Sequence, residues 1–399
     1  MKGKKIIVGI SGGIAAYKAA ELVRLLVKAD VYTGVAMTPN ATRFVSPLTF
    51  EALSGNKVVW DMFGQGGGSM DHITWGQETD LVIIAPATAN FIAKMAHGIA
   101  DDFLSTMVLA ATAEILICPS MNTRMFHNPA VRDNIALLKK RGLAVMEPVE
   151  GHLACGTEGP GRLPEPEDIL EEAWALLSKK DLSGLRILVT AGPTVEPIDP
   201  VRYITNRSTG KMGYALARAA RLRGASVSLV SGPATLKPPP GVTFFPVKTA
   251  EEMMQSVFEN RPNCDVIIKA AAVSDYRPRE TAAHKIKKRE ESFSLDMEKT
   301  PDILEQLGET KKDCPCLLVG FAAETKDLLG NAIEKLRSKN LDMIVANDVS
   351  RDDSGFGADT NIVKIIYGDG HVEDYPLMTK DEVADLVLDK ARSLIPLQI

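Results

Sequence analysis

Short apolar runs alternate with amphipathic segments along almost the whole of this chain, and that alternation leaves few folds open. Residues 6–10, 81–85, 115–118 and 143–146 have the length and composition of buried strands. Between them, residues 15–29, 90–111 and 128–141 carry apolar side chains at helical spacing, and 168–180 reads as a closing helix. Strands alternating with helices imply a mainly parallel sheet with helices on both faces. The polar stretch Lys179-Lys180-Asp181-Leu182-Ser183-Gly184 breaks the pattern, which restarts at residues 186–190. Further strands are expected at 226–230, 266–270, 317–320 and 343–346, then a hairpin of 361–367 with 371–375 around a Gly-rich turn. A capping box, Thr379-x-x-Glu382, starts the last helix. With 399 residues, two α/β domains are the natural division, 1–182 and 183–399. Both are expected to be Rossmann-like.

Composition narrows the partners. The net charge is −5 and no long basic block occurs, which argues against nucleic acid. No apolar run approaches a membrane span, and the N-terminus lacks the apolar core of a signal peptide. The cysteine count is 5, an odd number, with no zinc-type spacing, which points to a reducing cytoplasm and no structural metal.

Several loops carry chemistry. Ser11-Gly12-Gly13-Ile14-Ala15 joins the first strand to a helix, where backbone can approach a phosphate. It matches neither G-x-G-x-x-G nor a Walker loop, and a tight turn would look the same. Pro86-Ala87-Thr88-Ala89-Asn90 leaves another strand at the same sheet edge; it suits either a ligand crevice or a helix cap. His72 follows a Gly-rich loop at 64–68 and is either a base or a bystander. In Pro119-Ser120-Met121-Asn122, Asn122 either holds a carboxylate or starts a turn. Cys155 lies in a Gly-rich segment, 151–162, of the kind used for lids and binding loops.

The set Gly12-Gly13-Ile14, His72, Pro119-Ser120-Met121-Asn122-Thr123-Arg124-Met125 and Ala154-Cys155-Gly156 resembles the flavin-containing cysteine decarboxylases, specifically the phosphopantothenoylcysteine decarboxylase domain, over about residues 4–180. It departs from that pattern at Ser120, at Phe126 and in the short turn Lys28-Ala29-Asp30-Val31, none of them a reactive group. The resemblance implies a flavodoxin-like fold and an FMN site between subunits of a homo-oligomer. It implies FMN contacts at Ser11, Gly12, Gly13, Ile14, Thr38, Pro86, Ala87, Thr88, Asn90 and Met121. It also implies an oxidative decarboxylation through a thioaldehyde. There His72 is the base, Asn122 grips the leaving carboxylate and Cys155 donates a proton in the reductive step.

The second half has its own loops. Asn206-Arg207-Ser208-Thr209-Gly210-Lys211-Met212-Gly213 leads into a helix, as a phosphate cradle or as a Ser/Thr-capped helix start. Met212 rules out a P-loop. Lys269-Ala270-Ala271-Ala272-Val273-Ser274-Asp275 ends a strand in small residues, and Lys285-Ile286-Lys287-Lys288-Arg289 follows; it is either a solvated face or a triphosphate site. Lys335 and Lys339 share a helical face.

Thr205-Asn206-x-Ser208-x-Gly210-x-Met212-Gly213, Lys285-x-Lys287-Lys288, Gly320-Phe321-Ala322-Ala323-Glu324-Thr325 and Ala346-Asn347-Asp348-Val349 resemble the phosphopantothenate–cysteine ligase domain, over about residues 184–395. The implied reaction activates 4′-phosphopantothenate with CTP as an acyl-cytidylate, which the cysteine amine attacks. The resemblance places CTP against Lys269, Ala270, Ala271, Asp275, Lys285, Pro301, Asp302, Ile303, Leu304, Phe321, Lys335 and Lys339, with Asn206 on the acyl-cytidylate and Mg2+ on the triphosphate. A regulatory flavin protein would be expected to have lost the reactive groups, and a nicotinamide oxidoreductase would need the missing G-x-G-x-x-G.

Overall fold

A computed structural model describes residues 3–63, 70–152, 156, 158–287, 294–324, 327–348, 355 and 357–395. It forms two compact units, residues 1–178 and 179–399.

The first unit opens with β1 (Lys5–Ile10), α1 (Ala16–Lys28), β2 (Tyr32–Met37), α2 (Pro47–Ser54) and β3 (Val58–Val59). It continues through α3 (Asp71–Gln77), β4 (Leu81–Ala87), α4 (Ala89–His97), α5 (Phe103–Ala110) and β5 (Glu114–Pro119). Then come α6 (Thr123–Phe126), α7 (Pro129–Lys140), β6 (Ala144–Val145), the hairpin β7 (Val149–His152) with β8 (Glu158–Arg162), and α8 (Pro166–Leu177). The main sheet runs β3-β2-β1-β4-β5-β6, and each neighbouring pair is parallel. Ile6, Ile7 and Val8 of β1 and Leu81, Val82, Ile83 and Ile84 of β4 are completely buried, as parallel strands covered on both faces must be. The order reverses between β1 and β4, so the crevice at their carboxyl ends is where a ligand is expected.

The sequence pattern predicts one helix over residues 90–111, but the structure has two. Gly98 adopts a left-handed conformation (φ 68°) that ends α4. Asp102 then starts α5 through a capping box with Ser105. The segment 151–162, expected as a loop, contributes strand residues to β7 and β8.

The second unit contains β9 (Arg186–Ala191), the hairpin β10 (Val195–Pro197) with β11 (Tyr203–Thr205), α9 (Lys211–Leu222), β12 (Ser226–Ser231), β13 (Thr243–Pro246) and α10 (Ala250–Asn260). It continues with β14 (Val266–Lys269), β15 (Tyr276–Pro278), β16 (Met297–Lys299), α11 (Ile303–Glu309), β17 (Leu317–Glu324) and α12 (Leu328–Ser338). β18 (Met343–Asp348), β19 (Thr360–Tyr367), β20 (Val372–Thr379) and α13 (Lys380–Leu394) complete it. Its sheet runs β13-β12-β9-β14-β17-β18-β19-β20; pairing is parallel as far as β18 and antiparallel for β19 and β20. Here the order reverses between β9 and β14. One face buries Leu216, Ala220, Val383 and Val387 of α9 and α13; the other buries Met253, Val257, Leu304 and Leu336 of α10, α11 and α12. The polar stretch after α8 is anchored on this unit, with Leu182 buried and Asp181 paired to Arg223 at 2.6 Å.

Candidate functional site

In the first unit, three loops meet at the reversal point. The Ser11 N–H and hydroxyl both donate to the Pro86 carbonyl, at 3.2 and 2.7 Å, and the Ser11 hydroxyl accepts from the Thr88 N–H at 2.9 Å. Ser11 thus ties the loop after β1 to the loop after β4. The Ser120 N–H donates to Ala87 O at 3.0 Å, which joins the loop after β5 to the same group. Thr38 closes the other side, its N–H on Ile10 O at 3.0 Å. Glycine is required at position 12: a Cβ there would stand 2.5 Å from the Asn40 Cβ and 2.8 Å from its carbonyl carbon. Gly13 and Ile14 then lead into α1, with Ile14 strongly exposed.

Two residues also do local structural work. The Thr88 hydroxyl caps α4 by accepting from Phe91 N–H, and Asn90 is exposed in the first turn. Asn122 caps α6, its Oδ1 accepting from Arg124 N–H at 2.8 Å. Met121 N–H donates to Gly161 O at 3.0 Å, so the β7–β8 hairpin docks on the loop that carries Asn122. Cys155 lies outside the described residues, between these two strands. His72 sits in the first turn of α3, which Trp75 fixes by an edge-on contact with Phe103 at 5.8 Å. Its Nδ1 is buried without a hydrogen-bond partner among the described residues. A buried, unsatisfied ring nitrogen fits a group kept for a ligand.

In the second unit the loops after β9 and β14 interlock. Ala272 N–H donates to Gly192 O at 2.9 Å, Thr194 N–H donates to Ala272 O at 3.2 Å, and Ser274 N–H donates to the Thr194 hydroxyl at 3.0 Å. Asn206 Nδ2 donates to the same Ala272 carbonyl at 3.0 Å. α9 is not Ser/Thr-capped. Its N-cap is Gly210 in a left-handed conformation (φ 80°), with no side-chain cap bond.

Next to β14 lies a cleft of about 310 Å³ lined by Lys269, Asp275, Pro301, Asp302, Ile303, Leu304, Lys335 and Lys339. Asp302 caps α11 and pairs with Lys339. Burial would raise the Asp302 carboxyl, but the Lys339 ammonium and the Glu305 N–H hold it below its ordinary range. Part of Lys269 reaches the surface, yet its ammonium is desolvated in the cleft: burial pushes it down to about 8, repulsion from Lys335 adds, and Asp302 opposes. Lys335 donates to Phe321 O at 3.2 Å, which places Phe321 at the rim. Ala270 and Ala271 continue β14 beside the cleft, Ala271 N–H donating to the Thr190 hydroxyl at 3.1 Å. Lys285 is exposed and does not line the cleft. Sequence reasoning missed Tyr276, Lys299, Thr300 and Glu305, which also line it. The run Lys299-Thr300 just before Pro301 was the available signal. Among the described residues no group of three or more His, Cys, Asp or Glu forms a metal site, and no helix is long and apolar enough to cross a membrane.

Comparison with known proteins adds identity to this geometry. Residues 1–178 match the Flavoprotein family model, and residues 182–394 match the DNA/pantothenate metabolism flavoprotein C-terminal domain. The Coenzyme A biosynthesis bifunctional protein CoaBC of Bacillus subtilis (strain 168) is 48% identical over 99% of this chain and 98% of its own. Its Escherichia coli (strain K12) counterpart is 44% identical over 98% of this chain and 97% of its own. The crystal structure of the C-terminal domain of a CoaBC protein is 47% identical, covers 54% of this chain and 98% of that one, and superposes with a TM-score of 0.47. With both family models in tandem and relatives matched nearly end to end, the chain belongs to the family of bifunctional coenzyme A biosynthesis proteins.

Proposed function

We propose that the second unit condenses 4′-phosphopantothenate with cysteine at the expense of CTP, and that the first unit decarboxylates the product to 4′-phosphopantetheine with FMN. The single observation that carries this reading is that each unit, by itself, builds a reversal-point crevice from hydrogen-bonded loops. In the first the backbone at Gly12 packs tightly on Asn40; the second is walled by Lys269, Lys335 and Lys339.

In the second unit those lysines, with Lys285 from the neighbouring segment, would neutralise the triphosphate as pyrophosphate leaves. Asp275, Pro301, Asp302, Ile303 and Leu304 would orient the nucleotide. Asn206, fixed on Ala272 O, would hold the acyl-cytidylate for attack by the cysteine amine. Mg2+ would sit on the triphosphate oxygens and offset part of their charge.

In the first unit, the tight approach at Gly12 and the hydroxyls of Thr38 and Thr88 suit FMN, with Ser11, Gly13, Ile14, Pro86, Ala87, Asn90 and Met121 around it. When bound, FMN supplies hydride transfer out of and back into the substrate. His72 would take the proton that accompanies oxidation. Asn122 would hold the carboxylate until CO2 leaves, and Cys155 would return a proton to the product carbon. Ile14 before α1, Tyr17 on α1 and Leu48 on α2 are 63%, 61% and 69% exposed, and α1 packs against α2, which supports a homo-oligomer with FMN between subunits. Cys118, Cys264, Cys314 and Cys316 are free thiols, which fits a reducing cytoplasm.

The test is one reaction with 4′-phosphopantothenate, cysteine, Mg2+ and either CTP or ATP, following pyrophosphate and CO2 together. The expected result is a flavin spectrum and CTP-dependent release of both. Pyrophosphate without CO2 would remove His72, Asn122 and Cys155 from their roles, and flavin with neither product would favour a regulatory protein.

A further inference from the structure

We propose that Asp199 is a positioning residue for the ligase reaction: from the tip of the β10–β11 hairpin it grips the backbone of the segment that carries Lys285 and ties that segment to Asn206. The proposal rests on the roles assigned above to Lys285 and Asn206.

Asp199 is a buried carboxylate, 3% exposed. Its two oxygens do different work. Oδ1 accepts from the N–H groups of Val201 and Arg202, both at 2.8 Å, which is an ordinary side-chain turn within the hairpin. Oδ2 faces outward from that turn. It accepts from the Arg202 guanidinium at 3.0 and 2.6 Å and from Ile286 N–H at 3.0 Å. Arg202 Nη2 also donates to Ile286 O at 2.7 Å. Both backbone groups of Ile286 are therefore held by one ion pair. A buried carboxylate that served only its own turn would not need the second set.

The grip extends along the segment. Ala282 N–H donates to Ile198 O at 3.0 Å, and the Thr281 hydroxyl donates to Pro197 O at 3.2 Å. Residues 281–286 thus lie along the hairpin turn and are pinned at both ends. Ile286 stands between Lys285 and Lys287, so fixing its peptide groups fixes where both lysine stems begin, while their ammonium groups remain exposed. The hairpin's other strand, β11, ends at Thr205, and Asn206 follows. One rigid turn therefore sets the origin of the exposed cations and the amide that faces the activated acyl group.

The discriminating variant is Asp199→Asn in the full chain. An amide keeps Oδ1 for the turn but can set a donor against Ile286 N–H and Arg202. The expected result is a drop of roughly tenfold or more in pyrophosphate release, the scale of losing charge-assisted hydrogen bonds. Decarboxylation of supplied 4′-phosphopantothenoylcysteine should not change. Trypsin should cut faster at Lys285 and Lys287, and CTP should no longer protect them. In a Lys285→Gln background, Asp199→Asn should cost less than in the wild type, because the placement of Lys285 then no longer matters and only the ties to Lys287 and Asn206 remain. Ile286→Pro deletes the gripped N–H from the other side and, if Asp199→Asn fails to fold, should reproduce the loss of pyrophosphate release and the faster cleavage at Lys287, the Lys285–Pro bond itself resisting trypsin. Unchanged pyrophosphate release, or a fully additive loss with Lys285→Gln, would overturn the proposal. Full ligation by Lys285→Gln alone would instead overturn the role given to Lys285, whereas unaltered trypsin cleavage of Asp199→Asn would overturn the grip itself.

Discussion

Lys269 shows how a single side chain can hold its charge conditionally. Desolvation has driven its ammonium down to about 8, so below that pH the free cleft carries the cation and above it the neutral amine. A triphosphate meets a ready partner on the acid side. On the alkaline side binding must first take up a proton, and apparent affinity falls by up to about tenfold per pH unit. The KM for CTP should therefore be flat below about pH 8 and climb above it. In Lys269→Gln the KM should be higher throughout and lack that inflection. A wild-type KM that stays level across roughly pH 7 to 9.5 would contradict the assignment. No spacing in the sequence announces this property. Lys269 is one lysine at a strand end, and its depressed pKa comes from burial beside Lys335 and Lys339, which belong to a different segment. The resemblance singled out the residue, and the packing accounts for its lowered pKa. Asp199 was not singled out at all, because nothing in Ile198-Asp199-Pro200 reveals that a segment more than eighty residues away in sequence will be held on its carboxylate.

At the scale of elements, the sequence was most legible where helix ends carry their own chemistry. The Thr379-x-x-Glu382 box does cap α13: Thr379 Oγ1 accepts from Glu382 N–H at 3.2 Å, and the Glu382 carboxylate accepts from Thr379 N–H at 2.8 Å. Thr379→Ala should cost about 1 kcal/mol, and lower the melting point of the second unit by roughly 2–4 °C. Its flavin spectrum should be that of the wild type. Calorimetry that shows no shift would mean that packing of Val383 and Val387, rather than the cap, decides where α13 begins. The strands β1, β4, β5, β9, β14, β17 and β18 were legible because a strand buried on both faces must be a continuous apolar run. The break at Gly98 was harder to see: apolar spacing continues across it, and the left-handed turn followed by the Asp102 cap is a local signal that the longer period masks. The edge strand β3 is only two residues long, Val58–Val59, too short for any periodicity to show. The β7–β8 hairpin is rich in glycine and proline, composition that reads as a loop until its partner loop is known.

The whole molecule is two compact units with separate buried clusters, and that separation makes the assignment of ligands to halves testable without an activity assay. The buried clusters of the second unit contain no residue of the first, and the reversal-point crevice of each unit is assembled from its own loops. A ligand that binds one native unit stabilises that unit by mass action, by about 2.7 kcal/mol at a hundredfold excess over Kd. For units of this size, that is a rise of roughly 5–10 °C in the melting point. FMN should therefore raise the transition of residues 1–178 and leave the other nearly in place, and CTP with Mg2+ should do the reverse. Gly12→Ala should weaken or abolish the FMN shift alone, because its Cβ would collide with Asn40. Asp199→Asn should diminish the CTP shift alone. If either ligand moved both transitions equally, the units would unfold as one cooperative block, and the fusion would contribute stability as well as a shared reaction sequence. If the shifts stay separate, what joins the halves is chemical: the amide made in one crevice is the substrate consumed in the other.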